Sequence, residues 1–148
     1  MRFYVVFALL VLVGLGGCSA SKPKTVPVSG KVMYKKDTPA EGALVVFHPT
    51  PEMEARISGK PFARVGADGT FVLTTYEEND GAPEGEYGVT IDYRVKDKGG
   101  EPKFRLGGDE GGAGGKLAID VKYTNPQQPV LKATVKRGEK NEFLFEVE

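Results

Sequence analysis

The feature that most constrains this chain is the placement of apolar residues at every second position, which is the period of a β-strand. Four stretches show this period, and their apolar members are Val26, Val28, Val32 and Tyr34; Tyr87, Val89, Ile91 and Tyr93; Leu131, Ala133 and Val135; and Phe143, Phe145 and Val147. No capped stretch after residue 18 has the period of a helix, although residues 52–57 fit one helical turn. The sequence therefore predicts a chain built of strands.

Turn residues lie where these strands must end. Asp68 and Gly69 predict a hairpin between strands at residues 62–65 and 71–75, because Gly adopts a positive φ without strain. Residues 137–140 are predicted to join the last two strands in the same way, and residues 83–85 to open the strand of Tyr87. The apolar run at residues 43–47 does not alternate, which indicates a central strand covered on both faces. Residues 117–121 predict one further strand.

Seven or eight short antiparallel strands predict an all-β sandwich, because a single sheet would leave one apolar face in water. The chain has 148 residues, which is enough for one domain. Its 20 Gly and 10 Pro agree with many turns between short elements.

Charge and cysteine counts exclude several functional classes. Lys plus Arg equals Asp plus Glu at 20 each, so the chain lacks the basic excess that binding to nucleic-acid phosphates requires. The single Cys excludes an internal disulfide, and one Cys with one His cannot form a Cys/His zinc site. We expect no nucleic-acid partner, no cofactor and no metal.

The first 17 residues have the layout of an export signal, with Arg2 followed by an apolar run at residues 3–13 and then by small residues. This run is shorter than the roughly 20 residues that cross a bilayer as a helix. Residues 15–18, Leu-Gly-Gly-Cys, resemble the lipobox of bacterial lipoproteins, in which the Cys is lipidated and becomes the new N-terminus. The alternative is ordinary secretory cleavage after Ala20, which would release a domain without a lipid.

The predicted layout is a signal peptide at residues 1–17, a lipid-anchored tether at 18–25 and a sandwich domain at 26–148. Cys18 is the predicted lipidation site, and two or three acyl chains would hold a bacterial membrane more firmly than one. Ser19 after this Cys resembles lipoproteins that are sorted to the outer membrane. The expected location is therefore the periplasmic or surface face of the bacterial outer membrane.

A glycine-rich loop at residues 96–116 interrupts the strand pattern. It holds eight Gly and has only Phe104 and Leu106 as large apolar residues, which is too little apolar surface to order the loop by itself. A loop of this length is usually either disordered or functional, and both alternatives stay open.

The turn and core residues of the chain also resemble a known family. They are Val28, Ser29, Gly30, Lys31, Val32, Pro39, Glu41, Gly42, Ala43, Val45, Phe47, His48, Pro49, Asp68, Gly69, Thr70, Phe71, Gly85, Glu86 and Tyr87. This set resembles the carboxypeptidase regulatory-like, transthyretin-like β-sandwich domains, over residues 26–147. A second set resembles the single-domain lipoprotein branch of that family: residues 80–83, Tyr123, Asn125, Pro126, Pro129, Leu131 and residues 135–145.

The resemblance implies a seven-stranded transthyretin-like or immunoglobulin-like sandwich, an exported setting and an accessory or binding role. It carries over no catalytic residue, because its motifs specify turns and core positions. Val65 and Gly66 stand where related domains often have Thr-Asp, which leaves the Asp68 turn one carboxylate short of an acidic cluster for calcium.

Several side chains are candidates for binding, and each has a simpler structural alternative. Tyr34, Tyr76, Tyr93 and Tyr123 have rings that can stack on sugars or fill a protein interface, or that simply pack at the core or sandwich edge. Asp80 closes the densest acidic group, at residues 77–80, but the spacing of a calcium loop is absent and a solvated loop is expected. His48 has no carboxylate nearby in sequence to orient it as a base, so it is expected to bond backbone or water.

The sequence therefore predicts a lipid-anchored envelope protein whose sandwich is a non-enzymatic structural or protein-binding module. The candidate residues in its binding loops are Tyr76, Asp80, Tyr93, Phe104 and Tyr123. The alternative is a carbohydrate- or cell-wall-binding domain that uses exposed Tyr rings. Expected partners are the membrane, through the lipid, and an envelope protein or a glycan.

Overall fold

The computed structural model describes residues 22–95 and 115–148 of the chain. Of these residues, 46% lie in strands and 7% in helices, so the predicted all-β class is confirmed. The signal segment, Cys18 and residues 96–114 of the glycine-rich loop lie outside the described residues. Within the described ranges, no helix has the length and apolarity needed to cross a membrane.

The described residues form twelve strands and two short helices. The strands are β1 Thr25–Val26, β2 Val28–Tyr34, β3 Thr38–Pro39, β4 Leu44–Pro49, β5 Phe62–Arg64, β6 Thr70–Val72, β7 Ala82–Pro83, β8 Gly85–Asp92, β9 Arg94–Val95, β10 Lys116–Leu117, β11 Leu131–Val135 and β12 Asn141–Val147. Helix α1 spans Pro51–Glu54, and a 3-10 helix spans Val121–Thr124. Five of the strands have two residues each, which is too short for a period-two pattern, so the prediction of seven or eight strands omits them.

Two larger sheets form the layers of the sandwich. Sheet I has the strand order β11-β8-β4-β5. Sheet II has the order β12-β2-β3, and β6 pairs with the same edge of β2 as β3 does. Two small ladders, β1 with β7 and β9 with β10, lie outside these layers.

An aromatic cluster joins the two layers. Phe47 of β4 is fully buried, and its ring centroid lies 5.9 Å from that of Phe143 and 6.3 Å from that of Phe145, both in β12. Phe71 of β6 stacks on Phe145 at 6.2 Å, and Tyr87 of β8 tilts against Phe47 at 5.6 Å. Each such pair adds about 0.5–1.5 kcal/mol to the stabilisation from area burial.

Both turns that the sequence assigned to hairpins carry the chain from one sheet to the other. The Asp68–Gly69 turn forms, with Gly69 at φ 85°, but β5 joins sheet I and β6 joins sheet II. A bridge between Phe62 and Thr74 links the two arms. Residues 136–140 likewise lead from β11 in sheet I to β12 in sheet II. The first hairpin prediction is therefore confirmed for the reversal and for one antiparallel bridge between the arms, but not for a shared sheet. The second is wrong, because turn residues specify a reversal, whereas the apolar faces decide which sheet each arm joins.

One pair of strands departs from the predicted antiparallel arrangement. β12 runs parallel to β2, from Asn141 opposite Val28 to Val147 opposite Tyr34. The other ladders of the described residues are antiparallel. The prediction of an entirely antiparallel sandwich is wrong here, because β12 reaches sheet II from the other layer and not through a hairpin beside β2.

Strand β4 is central in sheet I, between β8 and β5, but only its inward face is fully covered. Val45 and Phe47 are fully buried on that face, whereas Leu44 and Val46 on the opposite face are half-buried. The prediction that residues 43–47 are covered on both faces is therefore wrong among the described residues. Sheet II covers one face of β4, and the other face points away from the core.

Three smaller predictions have different outcomes. The helical turn predicted at residues 52–57 is confirmed by α1. Residues 117–121 do not form a strand, because β10 ends at Leu117 and Asp120 accepts a 2.9 Å hydrogen bond from the Lys122 N–H that begins the 3-10 helix. Thr25, predicted to end the tether, pairs with Pro83 in the β1–β7 ladder and belongs to the domain.

The strand directions place the loops at two opposite ends of the sandwich. The registers Val28 with Asn141, Pro49 with Tyr87 and Val135 with Gly85 bring the starts of β2, β8 and β12 to the ends of β4 and β11. We call this the proximal end, and its loops are residues 22–27, 50–61, 73–84 and 136–140. The distal end holds residues 35–37, 65–69, 93–95 and 115–118.

Candidate binding surface on sheet I

The outward face of sheet I carries apolar residues where a sheet face in water usually carries polar ones. In β4 the burial alternates, so that Leu44, Val46 and His48 point outward while Val45 and Phe47 point into the core. Leu44 and Val46 are not among the apolar side chains that pack against the central core cluster. They form a separate surface, which the strand register defines.

One row of this surface crosses three strands of sheet I and ends beside the start of the fourth. Val46 pairs with Phe62 of β5 on one side and with Thr90 of β8 on the other. Leu131 pairs with Val89, so Val130, which directly precedes β11, continues the row beside Thr90. Phe62 is 46% exposed and Val130 is 53% exposed, whereas Thr90 between them is buried. We call Phe62, Val46, Thr90 and Val130 the apolar row.

Charged residues border the apolar row on one side. Leu44 is the outward-facing residue two positions before Val46 in β4, and it pairs with Arg64 of β5 and with Asp92 of β8. The Asp92 carboxylate accepts hydrogen bonds from the guanidinium of Arg94 at 2.8 to 3.1 Å. An apolar strip with a charged border is the usual composition of a surface that binds another protein.

His48 and Thr90 form a polar pair on the other side of the apolar row. His48 Nε2 and Thr90 Oγ1 lie 2.8 Å apart and share a hydrogen bond, so one ring nitrogen of His48 bonds a side chain, a partner that the sequence analysis did not predict. Burial lowers the pKa of His48 below its usual value of 6.5, and the positive charge of Lys60 lowers it further, against a smaller opposite effect of Glu54. Glu54 is itself paired with Lys60 at 3.2 Å. Burial and the Lys60 charge therefore both favour the neutral imidazole.

A shallow groove of about 410 Å³ continues from this polar pair. Gly88 forms its floor, opposite His48 in β4 and Lys132 in β11. The ring of Pro129 lies against Gly88, and Pro126 also lines the groove. Prolines, an imidazole and a lysine line this groove, and such a mixture of apolar and polar groups suits contact with a polypeptide.

Two of the predicted binding residues lie together at the proximal end. The Asp80 carboxylate accepts hydrogen bonds from the backbone N–H groups of Thr75 at 2.7 Å and Tyr76 at 3.1 Å. These bonds use both oxygens of Asp80 to close its own loop, which gives the carboxylate a structural role. The Tyr76 ring lies under the ammonium of Lys22 at 5.2 Å, and burial, followed by the charge of Asp80, raises the pKa of its hydroxyl.

The other predicted tyrosines lie elsewhere. Tyr93, beyond the distal end of β8, packs edge-on against Tyr34 with 5.6 Å between the ring centroids. Tyr123 lies in the 3-10 helix and is buried in the core, so the expectation of an exposed binding ring is wrong for this residue. Its burial follows from the turn of that helix, which directs the ring inward and leaves Val121 in water. The tyrosines therefore do not form one stacking platform.

The remaining predicted site residues are Cys18 and Phe104, together with the acidic residues of the loop at 77–80. Cys18 and Phe104 lie outside the described residues. Glu77 and Glu78 are exposed, and in residues 22–95 and 115–148 no group of three or more His, Cys, Asp or Glu side chains is arranged to hold a metal ion. The apolar row was not identified as a site from the sequence, although the continuous apolar run at residues 43–47 was its signal.

Comparison with known proteins adds no relative. No family model, no curated protein and no solved structure matches the chain. The resemblance to the carboxypeptidase regulatory-like domains therefore stays a prediction carried by turn and core residues. Two of its motifs have clear structural roles: the Asp68 carboxylate accepts hydrogen bonds from Thr70 N–H and Oγ1–H, and Gly85 opens β8 at a φ of 153°.

Proposed function

We propose that this protein is a lipid-anchored envelope protein of bacteria whose sandwich is a non-enzymatic, protein-binding module. The anchor is Cys18, the membrane is the outer membrane, and the surface that meets a partner is the apolar row on sheet I. The resemblance to single-domain lipoproteins of the carboxypeptidase regulatory-like family supports the same function.

The observation that carries the proposal is the apolar row itself. Phe62 and Val130 expose about half of their side chains on a sheet face whose centre, at Thr90, is nevertheless buried. Covering apolar side chains contributes about 25 cal/mol for each Å² removed from water, so a partner that covers this face gains stability. The continuous apolar run at residues 43–47 is also typical of a strand that is covered on both faces.

The position of the N-terminal segment supports the anchor. Thr25 pairs with Pro83 and Lys22 contacts Tyr76, so the chain enters the sandwich at its proximal end. Thr25 lies seven positions after Cys18, and at about 3.4 Å per position this part of the chain spans at most about 24 Å. A lipid on Cys18 would therefore keep the proximal end within reach of the bilayer.

The non-enzymatic part of the proposal rests on His48 and on the acidic residues near it. The hydrogen bond to Thr90 occupies one imidazole nitrogen, and the nearby Glu54 is paired with Lys60. Neither arrangement resembles a base that a carboxylate orients toward a nucleophile. The scattered tyrosines give the carbohydrate-binding alternative no common surface, so that alternative is treated as an outcome of the test.

The anchor is tested by replacing Cys18 with Ser and following the full chain in cell fractions. We expect the native protein in the membrane fraction and labelled by an alkyne-tagged palmitate analogue, and Cys18→Ser in the soluble or unprocessed fraction without label. Ser21→Ala is the matched control, because it changes a neighbouring small polar residue outside the lipobox. Unlabelled native protein, or a Cys18→Ser variant that is processed and stays in the membrane as before, would contradict the anchor.

The binding surface is tested by crosslinking in intact cells, with Phe62→Ser and Val130→Ser compared with the native chain. We expect a recurrent protein partner whose recovery falls by about tenfold in both variants. Val121→Ser is the matched control, since Val121 is 69% exposed but lies in the 3-10 helix. Equal recovery with all four proteins would contradict the apolar row as the site, and recovery of glycan alone would favour the carbohydrate alternative.

A further inference from the structure

Strand β12 is the outermost strand of sheet II. It has seven residues, and among the described residues it pairs with β2 alone. A strand at the end of a sheet presents a row of backbone N–H and C=O groups that another strand can bond.

The direction of the backbone groups in β12 follows from one hydrogen bond. The Lys35 N–H donates to the Val147 carbonyl at 2.8 Å, so the backbone of Val147 faces β2. In a strand, alternate residues point their hydrogen-bonding groups to opposite sides, so Phe143 and Phe145 also face β2. Glu142, Leu144 and Glu146 therefore direct three N–H and three C=O groups to the free edge, and no hydrogen bond to these groups is present among the described residues.

Space for an added segment exists beside the first part of this edge, whereas the Asp120 N–H donates to the Glu148 carbonyl just beyond its other end. β11 and β12 diverge after the turn at residues 136–140 and leave a groove of about 400 Å³ between the two sheets. Sheet I is four strands wide, whereas sheet II has three positions, because β3 and β6 both pair with the same edge of β2. A strand added to β12 would lie opposite β11 and cover the half-buried ring of Phe143, which lines the groove.

The side chains along the edge define what such a strand would carry. Leu144 is 62% exposed on the outer face of sheet II, with Glu142 and Glu146 two residues to either side of it. The Glu142 carboxylate is already paired with Lys140. Basic side chains on the outer face of an added strand would therefore meet Glu146 and compete with the exposed Lys140 for Glu142, and their aliphatic stems would cover Leu144. Apolar side chains on its inner face would meet Phe143.

The same charges disfavour a second copy of this chain as the occupant. Antiparallel pairing of two β12 strands about a two-fold axis at Leu144 sets Glu142 of each copy directly opposite Glu146 of the other. Like charges in directly opposite positions destabilise a strand pair, and charged edge residues commonly prevent such self-association. The edge is therefore suited to a different sequence.

We propose that the free edge of β12, at residues 142–146, binds an extended segment of a partner protein in which basic and apolar residues alternate, by addition of that segment as a strand of sheet II. This inference rests on the protein-binding function proposed above, and it adds a second contact site and the chemical class of the bound segment.

Amide hydrogen exchange of the full chain in detergent tests the proposal, with a synthetic six-residue peptide that alternates Lys and Val as the probe. In the free protein we expect the amides of Glu142, Leu144 and Glu146 to exchange about tenfold faster than those of Phe143 and Phe145. The peptide should slow these three amides about tenfold. A peptide N-methylated at alternate residues, which lacks the donors, should not, and a peptide of Glu and Val should bind less.

Equal protection by the N-methylated peptide, or no change at the three amides at millimolar peptide, would overturn the proposal. Leu144→Lys, which adds a positive charge to the edge, should weaken binding of the Lys-Val peptide, whereas Val95→Lys, at a 41% exposed position of β9, should not. If both variants bind equally, the edge is not the site. Partner capture through the apolar row is measured separately with Phe62→Ser. A negative result at the β12 edge therefore does not contradict the proposed function, which has its own test.

Discussion

The ring of Pro129 lies directly against the backbone of Gly88 at the centre of the outer face of sheet I. A Cβ atom placed on Gly88 would come within 2.4 Å of Pro129 Cγ and 2.9 Å of Pro129 Cβ. Real Cβ atoms do not approach other atoms so closely, so this contact requires glycine at position 88. Because Pro129 lies two residues before β11, the contact fixes where the chain returns to sheet I beside the apolar row.

Gly88→Ala is therefore expected to destabilise the protein by about 1–3 kcal/mol, the usual cost of adding a methyl group to a packed site. The free energy of unfolding, measured by urea titration, checks this value. Pro129→Ala removes Cγ, the nearer of the two opposing atoms, so Gly88→Ala should cost less free energy of unfolding in the Pro129→Ala background than in the native chain. A loss that is unchanged in the Pro129→Ala background would show that the clash lies elsewhere.

Asp80 is expected to stabilise its loop and not to bind a ligand. Asp80→Ala leaves the N–H groups of Thr75 and Tyr76 without their acceptor, which should cost about 1–3 kcal/mol of unfolding free energy. Asp80→Asn keeps one acceptor oxygen and should cost less. Glu77→Ala and Glu78→Ala are matched controls in the same loop, and changes at such exposed positions should stay within about 0.5 kcal/mol. Equal effects of all four substitutions would refute the assigned role of Asp80.

The fold class and the turns were predictable from the sequence because both depend on local signals. The period-two pattern around Val89 and Val135 identified strands, and the Asp68–Gly69 pair identified a reversal. The partner of each strand was not predictable, because β5 and β6 share a turn but bury their apolar faces in different sheets. Register between distant strands depends on packing, which a single sequence does not specify.

The candidate site was harder to predict than the fold. Strands β4 and β5 carry apolar residues on both their inner and their outer faces. Residue type alone therefore did not show that Phe62 and Val46 lie on the surface and not in the core. The apolar row became visible only through the register that sets Val46 opposite Phe62 and Thr90. Tyr123 was misassigned in the opposite direction. The Lys and Thr beside it suggested an exposed ring, but the geometry of the short 3-10 helix buries it.

Asn141 is expected to hold the turn from which β11 and β12 diverge. Its side-chain amide donates to the Lys136 carbonyl at 2.9 Å, and its Oδ1 accepts from the Lys136 N–H at 2.9 Å. Asn141 is buried, so Asn141→Ala should cost about 1–3 kcal/mol of unfolding free energy through two unpaired backbone groups. Asn125→Ala is the matched control, because Asn125 is exposed and accepts one bond, from the Gln127 N–H. A smaller loss for Asn141→Ala than for Asn125→Ala would contradict this role.

His48 is expected to make stability depend on pH. Its pKa in the folded state lies below the usual 6.5, because burial and then the charge of Lys60 disfavour the imidazolium. The unfolded state therefore binds a proton more readily than the folded state, and stability must rise with pH across the titration. The contribution of neutral His48 is fully present above pH 6.5 and is lost as the pH falls below that value toward the folded-state pKa.

His48 is the sole histidine, so its proton resonances titrate without overlap from other imidazoles. We expect an NMR titration to give a pKa below 6.5 that rises in Lys60→Gln and falls in Glu54→Gln, because these substitutions remove the lowering and the raising charge respectively. His48→Gln should flatten the dependence of the unfolding free energy on pH between about 5.5 and 7, where carboxylates contribute little. A measured pKa at or above 6.5 would mean that the imidazolium is stabilised on this face, and that the pair with Thr90 does not favour neutral imidazole.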